Sequence, residues 1–147
     1  MSRAPDFVRR GSRAGAKGRG IRYEERTQSV LDRLYAERYV PGPWIHFSAD
    51  DTSPRWCQPD GLLFDIDRGE IVIVEIKYNH TAIAYWKLFN LYQPVVSAIF
   101  GTQWTYICAE VVKWYDRAVY GPRDVTLRPR IDLARPKEWA VVIVNER

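Results

Sequence analysis

Cysteine is scarce in this sequence, and long apolar runs are missing from it. The cysteines among the 147 residues are Cys57 and Cys108, which lie far apart and outside any CxxC pair. We therefore predict two buried, reduced thiols, and we expect neither a disulfide framework nor a cysteine-rich zinc site. No apolar run approaches the roughly 18 to 20 residues that a membrane-spanning helix needs, so we expect no membrane partner.

A secretion signal and a histidine metal motif are also lacking. The N-terminal residues are charged but contain no apolar h-region, which predicts a non-exported, cytoplasmic protein. His46 and His80 have no metal-like spacing with each other or with the cysteines, and we predict structural or surface roles for them. The length suits one domain, and a hydrophobic content of 46% is sufficient for one core.

Negative charge is nearly missing from residues 1–22. They contain seven basic residues and one acidic residue, a net charge of +6, whereas the rest of the chain has a net charge of −2. Residues 1–20 are rich in Arg, Gly, Ser and Ala, which predicts a flexible basic arm ahead of a domain at 21–147. Such an arm suits a nucleic-acid backbone, because binding releases counterions; the alternative is a solvated tail without a partner. The predicted contacts are Arg9, Arg10, Arg13, Lys17, Arg19 and Arg22.

Hydrophobic periodicity predicts alternating helices and strands. The first apolar stripe indicates a helix over 21–39, and the segment 81–100 indicates a second helix that Pro94 kinks or splits. A hairpin turn at Arg68-Gly69 joins two of the strands, and residues 110–119 suit either a helix or a continued strand. Strands are predicted at 44–48, 57–67, 70–76, 103–109 and 139–144. This order predicts an α/β fold around a mixed sheet.

The chemically informative residues are Asp60, Glu75 and Lys77. Glu75 and Lys77 are two apart on an apolar strand, so their side chains point to the same face. The predicted hairpin pairs Glu75 near Leu62, which leaves Asp60 one diagonal step away, roughly 7–8 Å between backbones. Two carboxylates and an ammonium group at this spacing suit Mg²⁺ binding and phosphodiester hydrolysis. The alternative is a salt bridge between Glu75 and Lys77, with Asp60 shaping a turn.

These residues resemble the signature of the PD-(D/E)XK nuclease superfamily. Pro59-Asp60 and Glu75-Ile76-Lys77 match the motif, and the resemblance spans roughly residues 20–110. It implies a restriction-endonuclease-like α/β/α sandwich around a central mixed β-sheet. It also implies that Asp60, Glu75 and the backbone carbonyl of Ile76 bind Mg²⁺ or Mn²⁺, and that Lys77 assists the attacking water. The phage exonucleases and Holliday-junction resolvases of the superfamily suggest a bacterial or phage-infected cell.

Several other residues are candidates by the same resemblance. The family often adds a glutamate from the first helix, and Glu24 lies closer to the core-facing stripe than Glu25 does. Some relatives carry Gln-x-x-x-Tyr on the helix after the catalytic strand, whereas Gln93 has no tyrosine four residues later. Gln93 therefore stays an accessory candidate. The tryptophans could stack on unpaired bases, but most of them lie in apolar periodic runs that suit the core; Trp56, beside a polar loop, is the exception to test.

The first functional hypothesis is a Mg²⁺-dependent deoxyribonuclease, structure-selective or sequence-nonspecific, acting in phage or mobile-element DNA recombination, repair or processing. The chain has little room for a recognition domain, so specificity would come from DNA structure or from a homodimer. The alternative is a non-catalytic nucleic-acid-binding module on the same fold. A third reading is a structural or interaction protein that binds no metal.

Overall fold

The computed structural model describes residues 15–48, 53–114, 126–127 and 141–146 of the chain. The first helix is α1 (Gly15–Tyr35), and a 3₁₀ turn (Ala36–Arg38) follows it. The second helical segment contains α2 (Ala82–Lys87), a π turn (Leu88–Tyr92) and α3 (Gln93–Phe100). The strands are β1 (Tyr39–Pro41), β2 (Ile45–Ser48), β3 (Pro54–Cys57), β4 (Gly61–Asp65), β5 (Glu70–Asn79), β6 (Thr105–Trp114), β7 (Thr126–Leu127) and β8 (Val141–Glu146).

Strand β5 lies inside a six-stranded sheet with the order β1-β4-β5-β6-β8-β7. It pairs antiparallel with β4 and parallel with β6, so the sheet is mixed. The aliphatic run in β5 explains this position, because a strand covered on both faces has no need for polar side chains. The predicted α/β class with a mixed sheet is confirmed. Residues 110–114 continue β6, as the strand alternative predicts for that part of the segment, and residues 115–119 lie outside the described residues.

The two faces of β5 contact different layers. Val72, Val74 and Ile76 belong to a core cluster with Tyr23 and Leu31 of α1. Because alternate strand residues point to opposite faces, the intervening side chains enter a second cluster. That cluster contains Ile71 and Ile73 of β5, Leu88, Phe89, Tyr92 and Val96 of the second helical segment, and Ile45 and Cys57 of the β2–β3 hairpin. Helical layers therefore lie on both sides of β5.

The first helix begins earlier and ends earlier than predicted. Residues 15–20 are helical, so the predicted boundary between arm and domain at residue 20 is wrong for this stretch. Lys17, Arg19 and Arg22 are exposed positions on α1, whereas the other predicted backbone contacts, Arg9, Arg10 and Arg13, lie outside the described residues. The predicted helix through residue 39 is also wrong, because Tyr39–Pro41 pairs with β4 as strand β1.

Pro94 is accommodated by the π turn that precedes it. A proline inside an α-helix lacks a donor and crowds the carbonyl four residues earlier, here that of Asn90. The wider turn at Leu88–Tyr92 includes that carbonyl, and the helical segment continues to Phe100. Thr81 begins the segment as an N-cap, because its Oγ1 accepts a hydrogen bond from Ala84 N–H at 3.1 Å. The predicted interruption at Pro94 is therefore a change of helical pitch.

The hydrophobic periodicity of 81–100 predicts an apolar face that includes Ile83, Trp86 and Ile99, and for these three residues the prediction is wrong. Ile83, Trp86 and Ile99 are 69%, 58% and 52% exposed, whereas Leu88, Phe89, Tyr92 and Val96 are buried. The change of pitch rotates the two ends of the segment relative to each other, so one regular stripe cannot describe the whole face. Within the described residues, no helix has the length and apolarity needed to cross a membrane.

The predicted hairpin exists, but its register is wrong by two residues. Leu62 pairs with Ile73, and the last pair joins Gly61 and Val74. The connection has four residues, Ile66–Gly69, and Gly69 adopts a positive φ of 64° that favours glycine. The predicted two-residue turn displaced every pair. The observed register brings Asp60, one residue before β4, level with Glu75.

Candidate active site

The main chain of Asp60 is held by three segments. Its carbonyl oxygen accepts hydrogen bonds from Gly42 N–H at 2.7 Å and from Gln28 Nε2 at 2.5 Å, with Tyr39 Oη at 3.5 Å. Tyr39 Oη also donates to Gln28 Oε1 at 2.5 Å, so both ends of the Gln28 amide are used. Helix α1, strand β1 and the entrance to the β2–β3 hairpin therefore fix the position of Asp60.

The side chain of Asp60 accepts a hydrogen bond at the edge of β5 that strand β4 leaves unpaired. Its Oδ2 accepts a hydrogen bond from Ile76 N–H at 2.6 Å, just beyond the last β4–β5 pair at Gly61 and Val74. The N–H and C=O groups of one strand residue point to the same edge of a strand. The carbonyl of Ile76, a predicted metal ligand, thus shares that edge with the Asp60 carboxylate.

Gly61 allows Tyr39 to reach this site. A Cβ atom at position 61 would lie 2.1 Å from Tyr39 Oη, whereas a Cβ atom at Gly20, in α1, would meet nothing within 4 Å. We expect Gly61→Ala to lower the free energy of unfolding by about 2–4 kcal/mol, because this overlap forces a shift in a packed region. Gly20→Ala should raise it by about 0.5–1 kcal/mol through helix propensity. Urea denaturation of both variants tests this, and an unaffected Gly61→Ala protein would contradict the close contact.

Glu75 is buried and Lys77 is partly exposed on the same face of β5. Lys77 Nζ lies 3.4 Å from Glu75 Oε1, and the two side chains are 41% and 5% exposed. The other carboxylate oxygen, Glu75 Oε2, is buried and has no hydrogen-bond partner among the described residues. A buried carboxylate oxygen without a donor is costly unless a ligand or ion satisfies it. The salt-bridge alternative accounts for one oxygen of Glu75 and leaves the other unexplained.

The electrostatic environment disfavours two adjacent carboxylates. Burial, together with repulsion from Glu75 and Glu24, raises the pKa of Asp60 to about 9, although the Ile76 N–H opposes this. Burial also raises the pKa of Glu75, against the attraction of Lys77 and Lys87. For Lys77, burial lowers the pKa, but attraction from Glu75 and Asp60 is stronger and the net shift is upward. A cation at the carboxylates would reverse the shifts of Asp60 and Glu75.

Helix α1 brings Glu24, and not Glu25, to the site. Glu24 lies near enough to Asp60 for its carboxylate to raise the pKa of Asp60. It also contributes to the electrostatics of Glu75 and Lys77. Glu25 is exposed. Gln28, one turn after Glu24, bonds to the main chain of Asp60 and so fixes this face of the helix toward the site.

The second helical segment also contributes groups that interact with the site. The Tyr92 hydroxyl has its pKa raised by burial and by the Glu75 and Asp60 carboxylates. Gln93 Oε1, the predicted accessory group, is buried and has no hydrogen-bond partner in the described part of the chain. Lys87 lowers the pKa of Glu75. Lys87 and Tyr92 therefore interact electrostatically with the carboxylates of the site.

A buried pair, His80 and Glu110, lies at the beginning of the second helical segment. His80 Nδ1 lies 2.7 Å from Glu110 Oε2, and each side chain is 1% exposed. Glu110 Oε1 also accepts a hydrogen bond from Thr81 N–H at 3.3 Å. A surface role for His80 is therefore wrong, and its structural role is supported. Glu110 pairs in register with Glu75 on the neighbouring strand, so both side chains lie on the same face of the sheet.

The oxygen ligands suit a hard divalent cation. Among the residues that the structure describes, no group of three or more His, Cys, Asp or Glu side chains is arranged to hold a metal ion. Mg²⁺ is usually bound through one or two carboxylates and keeps several waters, so it needs a smaller set. Asp60, Glu75 and the Ile76 carbonyl are such a set. The unpartnered Glu75 Oε2 is the observation that makes them fit Mg²⁺ or Mn²⁺.

Comparisons with known proteins identify no relative of this sequence. No family model matches the sequence, and neither curated proteins nor solved structures give a significant match. The resemblance of Pro59-Asp60 and Glu75-Ile76-Lys77 to the PD-(D/E)XK superfamily therefore stays a prediction.

Proposed function

We propose that the protein is a Mg²⁺- or Mn²⁺-dependent deoxyribonuclease of the PD-(D/E)XK type. The observation that carries the proposal is the buried Glu75 carboxylate, whose Oε2 has no hydrogen-bond partner among the described residues, with Asp60 and Glu24 near it. Three carboxyl groups share this site with one ammonium group in direct contact, that of Lys77. A divalent cation is the ligand class that compensates such an excess of negative charge.

The proposed roles follow from exposure and contacts. Asp60 and Glu75 would hold the ion with the Ile76 carbonyl, and Glu24 would support them from α1. When bound, the ion supplies Lewis-acid chemistry, polarising the scissile phosphate and lowering the pKa of the attacking water. Lys77 keeps its proton and orients that water or stabilises charge that develops on the phosphoryl oxygens. Lys87, which lowers the pKa of Glu75, and Gln93, on the same helical segment, would contact the phosphate.

The same proposal includes a restriction-endonuclease-like α/β/α sandwich. Helix α1 on one face of β5 and the α2–α3 segment on the other support this arrangement. The basic residues of 1–22 would grip the DNA backbone without reading its sequence. Lys17, Arg19 and Arg22 would do so from α1, the helix that also carries Glu24.

A cleavage assay tests the proposal directly. We expect the protein to cut linear, single-stranded, flapped or four-way-junction DNA in Mg²⁺, and to cut nothing in excess chelator. Binding without any cleavage in either metal would instead favour the non-catalytic nucleic-acid-binding module. Neither binding nor cleavage would favour the interaction protein and reject both nucleic-acid functions.

Glu24 and its neighbour provide a matched pair of variants. We expect Glu24→Gln to reduce the rate of cleavage at limiting Mg²⁺ about 10- to 100-fold, the scale reported for groups that support metal ligands. Glu25→Gln removes the same charge from an exposed position and should change the rate less than twofold. Rates measured across a Mg²⁺ titration separate weaker metal binding from a slower reaction. Equal effects of the two substitutions would remove Glu24 from the site.

A further inference from the structure

The β2–β3 hairpin carries an aromatic surface that the proposed catalytic groups do not use. Its inner face places Ile45 and Cys57 in the core, with Phe47 packed against them. The opposite face carries Trp44, His46 and Trp56, and His46 and Trp56 form a cross-strand pair. The rings of His46 and Trp56 stack with centroids 4.7 Å apart and an interplanar angle of 24°. Trp44 meets Trp56 edge-on at 6.4 Å.

This aromatic face is partly open to solvent. His46 is exposed, and Trp44 and Trp56 are half-buried, whereas Ile45 and Cys57 on the inner face are 2% and 5% exposed. The inner face already supplies the hydrophobic contacts that hold the hairpin to the sheet. The three adjacent rings on the outer face add little to the core. Flat aromatic rings of this kind can stack on nucleobases.

The main chain beside the aromatic face is hydrogen-bonded to Asp60, the proposed catalytic aspartate. Gly42, two residues before Trp44, donates its N–H to the Asp60 carbonyl at 2.7 Å. Gln58 Nε2 closes the base of the hairpin by donating to the Gly42 carbonyl at 3.0 Å. Trp56 lies four residues before Asp60, so their Cα atoms are at most about 14 Å apart. At about 3.4 Å per stacked base step, that span covers roughly four nucleotides.

We propose that the outer face of the β2–β3 hairpin binds unpaired nucleobases next to the cleaved phosphate, so that the preferred substrate contains a single-stranded segment. Bases within a duplex are covered by their neighbours, whereas an unpaired base can add its ring to the His46–Trp56 stack. The described residues of the hairpin, 44–48 and 53–57, contain no carboxylate that would repel the backbone. Asp50 and Asp51 of the connecting segment lie outside the described residues. The inference rests on the proposed nuclease function for its position relative to the phosphate.

Binding in chelator tests the surface independently of cleavage. The probes are a 12-nucleotide oligothymidylate and a 12-base-pair blunt duplex, each followed by fluorescence anisotropy. We expect Trp56→Leu to weaken oligothymidylate binding about tenfold or more, the scale of one lost base–aromatic stack, with duplex affinity changed less than twofold. Trp56→Phe should recover most of the affinity. Ile66→Ala, an exposed apolar position at the far end of the β4–β5 hairpin, is the control and should change neither affinity.

A second measurement uses the unaltered protein. Photocrosslinking to an oligonucleotide containing 5-bromodeoxyuridine should give adducts on Trp44, His46 or Trp56, located by mass spectrometry. Adducts confined to other residues, or equal losses of single-strand and duplex binding in Trp56→Leu, would overturn the proposal. Loss of self-association in Trp56→Leu, with oligothymidylate affinity unchanged, would also overturn it and assign the face to a second copy of the chain.

The two proposals can fail separately. If the wild-type protein cuts no DNA but Trp56→Leu loses oligothymidylate binding selectively, the nuclease function is wrong and the stacking surface stands. If the protein cuts DNA in Mg²⁺ but the Trp56 variants bind oligothymidylate as the wild type does, the stacking surface is wrong and the nuclease function stands.

Discussion

Asp60→Asn should lower metal-dependent DNA cleavage by at least about a thousandfold, equivalent to about 4 kcal/mol of transition-state stabilisation. The same substitution should stabilise the metal-free protein. Asparagine keeps an oxygen that can accept the hydrogen bond from Ile76 N–H, and the main-chain bonds to Gly42 and Gln28 do not involve the side chain. The substitution replaces an ionisable group, whose charged form Glu75 and Glu24 repel, with a neutral one. Activity and metal-free stability are therefore expected to change in opposite directions.

The raised pKa of Asp60 determines how the stability of the metal-free protein changes with pH. The pKa of Asp60 is raised in the folded state, from an ordinary value of 3.8 to about 9. The folded protein therefore holds a proton that the unfolded chain releases, and stability falls as the pH rises through this interval. In chelator, we expect wild-type stability to decrease between about pH 4 and pH 9. The Asp60→Asn protein should show a smaller decrease, because Glu75 still contributes.

Urea denaturation at several pH values, with chelator and with Mg²⁺, measures both effects. Mg²⁺ should stabilise the wild type increasingly as the pH rises, because protons compete with the metal for the carboxylates. The Asp60→Asn protein should lose most of this stabilisation. Asp67→Asn, at an 80% exposed side chain in the β4–β5 turn, is the matched control and should preserve cleavage and metal response. A fully active Asp60→Asn protein would reject Asp60 as a metal ligand.

The sequence predicted that Glu75 and Lys77 share one face because the two residues are only two apart in the same strand. Two-residue alternation alone places Glu75 and Lys77 on one face, and the aliphatic residues around them identify an internal strand. The apolar stripe of α1 likewise predicted Glu24 over Glu25, since a helix with one buried face has a defined orientation. These relations survive errors of several residues at the ends of the elements.

The contacts that hold Asp60 could not be predicted in the same way. Gln28, Tyr39 and Gly42 come from different elements, and no spacing in the sequence brings an amide, a phenol and a main-chain N–H to one carbonyl oxygen. The one available signal was that Gln28 follows Glu24 by four residues, on the same helix face. The hairpin register was wrong because it depends on the length of the turn, which the strand pattern does not specify.

Composition was a poor guide to where the first helix begins. Residues 15–20 contain Gly, Lys, Arg and Ala, a mixture that suits a solvated arm, yet they extend α1. Helix formation is cooperative, so a turn that would not form alone can be added to a helix whose later residues are packed in the core. Lys17 and Arg19 therefore have a more fixed relation to Glu24 than a flexible arm would give them.

Lys77→Met should reduce cleavage about a thousandfold while leaving metal binding intact. The ammonium group lies 3.4 Å from Glu75 Oε1 and is partly exposed, so it can face both the site and a bound phosphate. Its proposed role is exerted on the water and the phosphoryl oxygens, and removal of one such group typically lowers kcat by about 10²–10³. Methionine keeps a similar length without the charge. The loss should therefore appear in kcat, with a much smaller change in KM.

The metal response distinguishes Lys77 from Asp60. Removing the ammonium group takes away a cation that competes for Glu75, so Mg²⁺ should stabilise Lys77→Met at least as much as the wild type. Asp60→Asn should lose both cleavage and this stabilisation. Lys113→Met is the control, because Lys113 is a neighbouring-strand lysine that lies 5.6 Å from the centroid of the Tyr78 ring. If Lys77→Met lost Mg²⁺ stabilisation in parallel with cleavage, Lys77 would be part of the support for the metal site. If it cut DNA within tenfold of the wild-type rate, the Glu75–Lys77 pair would be a structural salt bridge.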